Sequence, residues 1–226
     1  MYGAMTMMQR WLLTLFATSA AVLASYFWLD RPVASWMHSQ FPQHEAFVAL
    51  THIPDPIPAI AVAAFALLGL RSFLGGPLSL PQMLTLLCSI SVTVTEATKN
   101  ELKFIFGRNW PETWVQANPS FIHDGAYGFN FFHGGAGYAS FPSGHTAIAC
   151  AVASVLWIGC PKLRALWALA VLAIAVGLVG ANFHFVSDIV AGAFVGGTVG
   201  WMTMTLAACI NATRPDISHP SRLSKS

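Results

Sequence analysis

Residues 184–210 read HFVSDIVAGAFVGGTVGWMTMTLAACI: a histidine and an aspartate four apart, then a run over 189–210 without one Asp, Glu, Lys or Arg. About 20 apolar residues in a helix cross the ~30 Å hydrocarbon core of a bilayer. The run therefore predicts a membrane span, and its two polar residues stand at the edge of it. Gly192, Gly196 and Gly200 recur every four residues. Small side chains at that period let two membrane helices approach closely. Internal packing is the expectation here, and dimerisation is the alternative.

The rest of the chain has the same character. Of 226 residues, 55% are hydrophobic and only 9% charged, against about 25% charged in an ordinary soluble domain. An integral membrane protein of one domain is expected. A net charge of +2 gives no footprint for nucleic acid. Cys88, Cys150, Cys160 and Cys209 fall in apolar runs without a CxxC pattern, and read as small apolar side chains rather than disulfides or metal ligands.

Six apolar segments, roughly 11–29, 56–74, 80–98, 143–161, 163–181 and 188–210, predict six transmembrane helices. Trp11 and Trp28 bracket the first as interfacial aromatics do, which favours a retained span over a signal peptide. Asp30-Arg31-Pro32 is expected to close that span, and Pro54, Pro56 and Pro58 to lead into the second. Gly75-Gly76-Pro77 and Cys160-Pro161-Lys162 predict tight turns.

Basic residues set the expected orientation. With both termini inside, Arg10, Arg71, Lys162, Arg164, Arg214, Arg222 and Lys225 are cytoplasmic, and Arg31, Lys99, Lys103 and Arg108 lie outside. An inner (plasma) membrane protein with its active face toward a periplasm is the expectation. The segment 99–142 holds too many aromatics for a linker, among them Phe104, Trp110, Trp114, Tyr127 and Phe141. It predicts an extracytoplasmic cap, either a packed connector or a lid. The fold class expected is an all-α membrane bundle carrying this aromatic-rich cap, with a polar cytoplasmic tail over 211–226.

Charge is scarce, so the places where polar groups gather carry the functional signal. His184 and Asp188 share a helix face. Asp188 accepting a hydrogen bond from one ring nitrogen would free the other to attack. A capping Ser187 or Asp188 beside an interfacial His184 is the open alternative. Ser143-Gly144-His145 follows Pro142 at a helix start, where free backbone N–H groups attract anions, with Ser143 as a hydroxyl donor and His145 as a proton carrier. An ordinary Ser cap is the competing reading. Lys103 and Arg108, past the third apolar run, suit either a transferring phosphoryl group or lipid phosphates at the surface.

Taken in order, the cations, the long cap, PSGH and His-x-x-x-Asp resemble the type 2 phosphatidic acid phosphatase family. Its superfamily includes bacterial lipid phosphatases, glucose-6-phosphatase and vanadium haloperoxidases. The resemblance covers a core of about residues 80–205. It implies that His184 is a nucleophile forming a phosphohistidine, that Asp188 orients it, and that His145 protonates the leaving alcohol and then activates water. Lys103, Ser143 and Gly144 would hold the phosphate, and neither a metal nor another cofactor is implied. The substrates implied are phosphomonoesters or pyrophosphates of membrane lipids, such as phosphatidic acid, phosphatidylglycerol phosphate, undecaprenyl pyrophosphate or lipid A.

The chain departs from the pattern twice. Trp110, before Pro111, and Leu178, six residues before His184, stand where the family has arginine. Arg108 is the expected substitute, with Asn182, Trp110, His133 and His123 as auxiliary candidates. A lipid phosphotransferase, or a degenerate member that binds or transports lipid phosphates, is the competing function.

Overall fold

The computed structural model describes residues 5–41, 45–114 and 117–213. The tail beyond 213, with Arg214, Arg222 and Lys225, lies outside the described residues. All six apolar segments are helical. Helix α1 (Met7–Ala24) runs through a π-turn at Ser25–Leu29 into α2 (Asp30–Gln40). A short α3 (Glu45–Thr51) leads to α4 (Ile57–Phe73), α5 (Leu80–Phe106) and a one-turn α6 (Phe121–Asp124). Then come α7 (Gly144–Gly159), α8 (Arg164–Gly180) and α9 (Val186–Thr213). Among the described residues there is no strand, only isolated bridges such as Arg108 with Phe129.

Four helical stretches are long and apolar enough to cross a membrane: Met7–Gln40, Leu80–Phe106, Pro161–Gly180 and Val186–Ile210. The apolar helices Ile57–Phe73 and Gly144–Gly159 are shorter, at about 25 Å each. Large side chains such as Phe16, Leu67 and Phe73 face outward. That is the surface of a protein whose solvent is lipid, where every backbone group must be satisfied within a helix.

Local chemistry explains the helix ends. Ser79 and Gln82 form a reciprocal capping box at the start of α5, with the Ser79 N–H donating to Gln82 Oε1 at 3.0 Å. Gly107 ends α5 in the left-handed region at φ 54°, and a Cβ there would overlap the Asn130 carbonyl. Ser143 caps α7 and accepts from the Thr146 N–H.

Three expectations about helix boundaries need correction. Asp30-Arg31-Pro32 does not break the helical path, which continues through α2 to Gln40. The wider π-turn before it accommodates Pro32, which sits in the first turn of α2, where a missing N–H costs least. Helix α5 continues past residue 98 to Phe106, so Lys99 and Lys103 ride on it. Helix α9 starts at Val186, and Asp188 in its first turn accepts from the Phe185 N–H at 3.0 Å instead of serving as the N-cap.

Helix α7 lies at the centre, against α5, α8 and α9. Its contact with α9 uses the glycine stripe. Gly192, Gly196 and Gly200 lie against the carbonyls of Ser143, Ala147 and Ala151, one turn apart. The stripe thus serves internal packing. Expected outcome: Gly196→Val, whose side chain would overlap Ala147, destabilises the detergent-solubilised protein by about 1–3 kcal/mol. Gly197→Ala, with only Ser154 Oγ near at 3.8 Å, leaves the melting temperature unchanged. Thermal unfolding of the two variants checks this.

Candidate active site

The two histidine motifs meet because the starts of α7 and α9 are stitched together. The Ser143 N–H donates to the Asp188 carbonyl at 3.0 Å. Around that junction opens a pocket of about 630 Å³. Its polar wall is Asp55, Glu96, Lys99, Lys103, Gly144, His145 and His184, and Trp110, Pro58, Ile148 and Phe183 give it apolar walls.

His184 sits in the turn between α8 and α9 and is 4% exposed. Its Nδ1 lies 3.3 Å from Asp188 Oδ2 and 3.5 Å from Ser140 Oγ. These contacts fix Nδ1 as the protonated nitrogen and leave Nε2 as the lone-pair nitrogen. Burial pushes the imidazole well below the ordinary histidine value, although Asp188 pulls the other way, so the ring is neutral at pH 7. The Trp110 ring packs on it at 5.1 Å between centroids.

Asp188 is fully buried and held from several sides. The Ser140 hydroxyl donates to Oδ2 at 2.6 Å and the Phe185 N–H at 3.0 Å, while Arg108 takes Oδ1. Arg108 itself is 0% exposed. One guanidinium nitrogen also donates to Ser187 Oγ at 2.6 Å, and the other donates to Asp30 Oδ2 at 2.7 Å. Rings of Phe185, Phe129, Tyr26 and Tyr127 surround it at 4.4–5.4 Å. Burial works against the cation, but Asp188 and Asp30 outweigh it and hold Arg108 above its ordinary value.

Arg108 therefore does not line this pocket. Its charge is spent between two buried carboxylates, and its role is to fix Asp188. Asn182 and His133 also lie elsewhere. Asn182 is buried, and its amide donates to the Ala34 carbonyl at 3.0 Å and to Glu112 Oε1 at 2.9 Å. His133 packs on Tyr138. His123 has His38 as a ring neighbour. Ser143 Oγ is buried and lies 3.0 Å from Thr146 Oγ1, so the pocket wall there is Gly144. Leu178 is fully buried beside Ala149 and Ile174, with no cation in its place.

Lys103 does reach the pocket. Its Nζ donates to the Ala139 carbonyl and stands 5.5 Å from the Trp110 ring. Sequence reasoning missed Lys99 as its companion. One turn earlier on α5, Lys99 pairs with Glu96 at 3.1 Å and lies across the first turn of α7. A Cβ added to Gly144 would come within 3.3 Å of Lys99 Nζ. The signal was its spacing of four from Lys103, hidden by ending the third span too early. Asp55, from the turn before α4, was missed too. Its Oδ1 lies 3.1 Å from His145 Nε2, and nothing in that proline-rich turn announced it.

The fold and pocket define a helical membrane protein with two imidazoles, a buried orienting carboxylate and two lysines around one cavity. A family model described as PAP2 superfamily matches residues 83–211, more than half of the chain, and the chain belongs to that superfamily. The crystal structure of the first transmembrane PAP2 type phosphatidylglycerolphosphate phosphatase from Bacillus subtilis is similar over 90% of this chain and 96% of that one, with a TM-score of 0.50 and 16% identity. That likeness concerns the fold, and with the apolar helices it makes this chain an integral membrane protein. No curated protein matches the chain.

Removing Arg108 would leave Asp30 and Asp188 as unpaired buried charges. Expected outcome: Arg108→Met lowers stability by about 3–5 kcal/mol, read as a large fall in melting temperature or a failure to purify folded protein. A melt like that of wild type would show that the guanidinium does not hold the bundle together.

Proposed function

We propose that the protein is a phosphatase that removes phosphate from a membrane lipid through a phosphohistidine at His184. The observation that carries this reading is the His184–Asp188 pair facing His145 and two lysines across one pocket. His184 Nε2 attacks phosphorus, and the imidazolium that forms is stabilised by Asp188 through Nδ1–H. His145 gives a proton to the leaving oxygen. In the second half it takes a proton from the water that cleaves the P–N bond. Lys99, Lys103 and the free N–H groups at the start of α7 neutralise the equatorial oxygens.

Support for a lipid substrate comes from the superfamily, from the phosphatidylglycerolphosphate phosphatase of Bacillus subtilis that shares the fold, and from apolar pocket walls at helix ends. In this reading all six apolar helices cross the bilayer as one domain. The described residues between Gly107 and Pro142, tied to α5 by bonds such as Phe132 N–H to the Ile105 carbonyl at 2.9 Å, form an extracytoplasmic cap. The positive-inside bias puts both termini in the cytoplasm and the pocket at the outer surface.

Phosphate release from phosphatidic acid or phosphatidylglycerol phosphate by the purified protein tests the reaction. Expected outcome: wild type turns over and forms an acid-labile phosphoenzyme in rapid quench, and His184→Ala shows neither, with activity down at least ~10³-fold. Phosphoenzyme forming in His184→Ala would sink the mechanism. Lipid phosphate bound without turnover by wild type would instead mark a binder, and a phosphorylated lipid product without free phosphate a transferase.

The lysines replace missing arginines, so each should matter. A charge-assisted contact contributes about 1.5–3 kcal/mol. Expected outcome: Lys99→Ala lowers kcat/KM about 10- to 100-fold, and Lys99→Arg restores most of it. Steady-state kinetics of the two variants decides this.

A further inference from the structure

The pocket contains a second carboxylate–imidazole pair, and its carboxylate comes from outside the segment that matches the superfamily. Asp55 Oδ1 lies 3.1 Å from His145 Nε2. Its other oxygen, Oδ2, lies 2.7 Å from His52 Nδ1. Both oxygens are thus taken by imidazole nitrogens. The residue sits in a constrained turn: the Asp55 N–H donates to the His52 carbonyl at 3.2 Å, and the Ile57 N–H donates to the Pro54 carbonyl at 3.0 Å. Pro54 on one side is fully buried, and Pro56 on the other opens α4. The hydrogen bond from His52 first, then His145, holds the Asp55 carboxyl below its ordinary value against the opposing effect of burial. It is an anion at neutral pH.

The remaining charges around His145 are Glu96, Lys99 and Lys103 from α5, with neutral His184 beyond. The two lysines place positive charge on the same wall as the His145 ring. A proton donor placed beside two cations needs a nearby anion to hold its proton, and Asp55 is the carboxylate in hydrogen-bond reach.

We propose that Asp55 is the positioning residue for His145, keeping Nε2 protonated and Nδ1 turned to the leaving group, so that this chain delivers the leaving-group proton through its own Asp55–His145 pair. The inference rests on the phosphatase reading. In the first step the P–O bond to the alcohol breaks as the P–N bond to His184 Nε2 forms. The electron pair stays on the alcohol oxygen, which takes the proton from His145 Nδ1. The neutral His145 that remains still gives Nε2–H to Asp55. Nδ1 is then a free acceptor for the proton of the attacking water.

Such a role has a signature that a merely structural role lacks. An alkoxide is a poor leaving group and needs the proton, whereas an acidic aryl alcohol leaves without it. The test compares kcat/KM for phosphatidic acid and for p-nitrophenyl phosphate in wild type, Asp55→Asn, Asp55→Glu and His145→Asn. The expected result is a fall of about 10- to 100-fold in the alkyl-to-aryl ratio for Asp55→Asn, a share of the ~10²–10⁴ that a positioned acid contributes. Asp55→Glu recovers part of the ratio. The double variant Asp55→Asn/His145→Asn has the same ratio as His145→Asn alone. Equal losses on both substrates, or additive losses in the double variant, overturn the pair while leaving the phosphatase reading in place. A wild type that cleaves neither substrate overturns both. If Asp55→Asn does not fold, the ratio in Asp55→Glu decides, and a wild-type ratio there together with additivity against His145→Asn overturns the proposal.

Discussion

One buried guanidinium organises this molecule. Arg108 reaches Asp30 at the start of α2 and Asp188 on α9, and it comes itself from the stretch just after α5. Three parts of the chain distant in sequence are thereby fixed to one point. Buried charges are costly to desolvate, so the pairing requires good geometry and full hydrogen bonding. The surroundings supply both: the Ser187 N–H donates to Asp30 Oδ1 at 2.9 Å, the Ser187 hydroxyl donates to Oδ2, and the Ser140 hydroxyl donates to Asp188. Helix α2 thus takes part in holding the candidate catalytic carboxylate, although it lies outside the segment matched to the superfamily.

That use of Arg108 shapes the pocket. With Arg108 between the two carboxylates, the positive charge facing the cavity comes from Lys99 and Lys103. Lysine is a compact point charge without the planar fork that grips two oxygens at once. Trp110 adds a ring that packs on His184 and stands beside Lys103. The wall of the site is therefore aromatic as well as cationic.

The PSGH and His-x-x-x-Asp motifs were legible because each sits at a helix start, and a polar residue there stands out against an apolar run. The glycine stripe of α9 was legible for a similar reason, since its period of four marks one helix face. Arg108 was misread because its distance along the chain from Lys103 suggested a shared phosphate. Nothing in the sequence shows that Asp30, which reads as a breaker, turns inward to meet it. Asp55 and Lys99 escaped notice because their meaning lies in contacts with α7, made across gaps of 90 and 45 residues.

The sequence by itself determined the six apolar helices, the close-packing glycine face of α9 and the two histidine motifs. These follow from period, length and composition, which are local properties. Only the tertiary structure decided which charges serve the pocket and which serve the frame. A guanidinium and an ammonium look alike in sequence, and their roles separate only when packing buries one between carboxylates and leaves the other at a cavity.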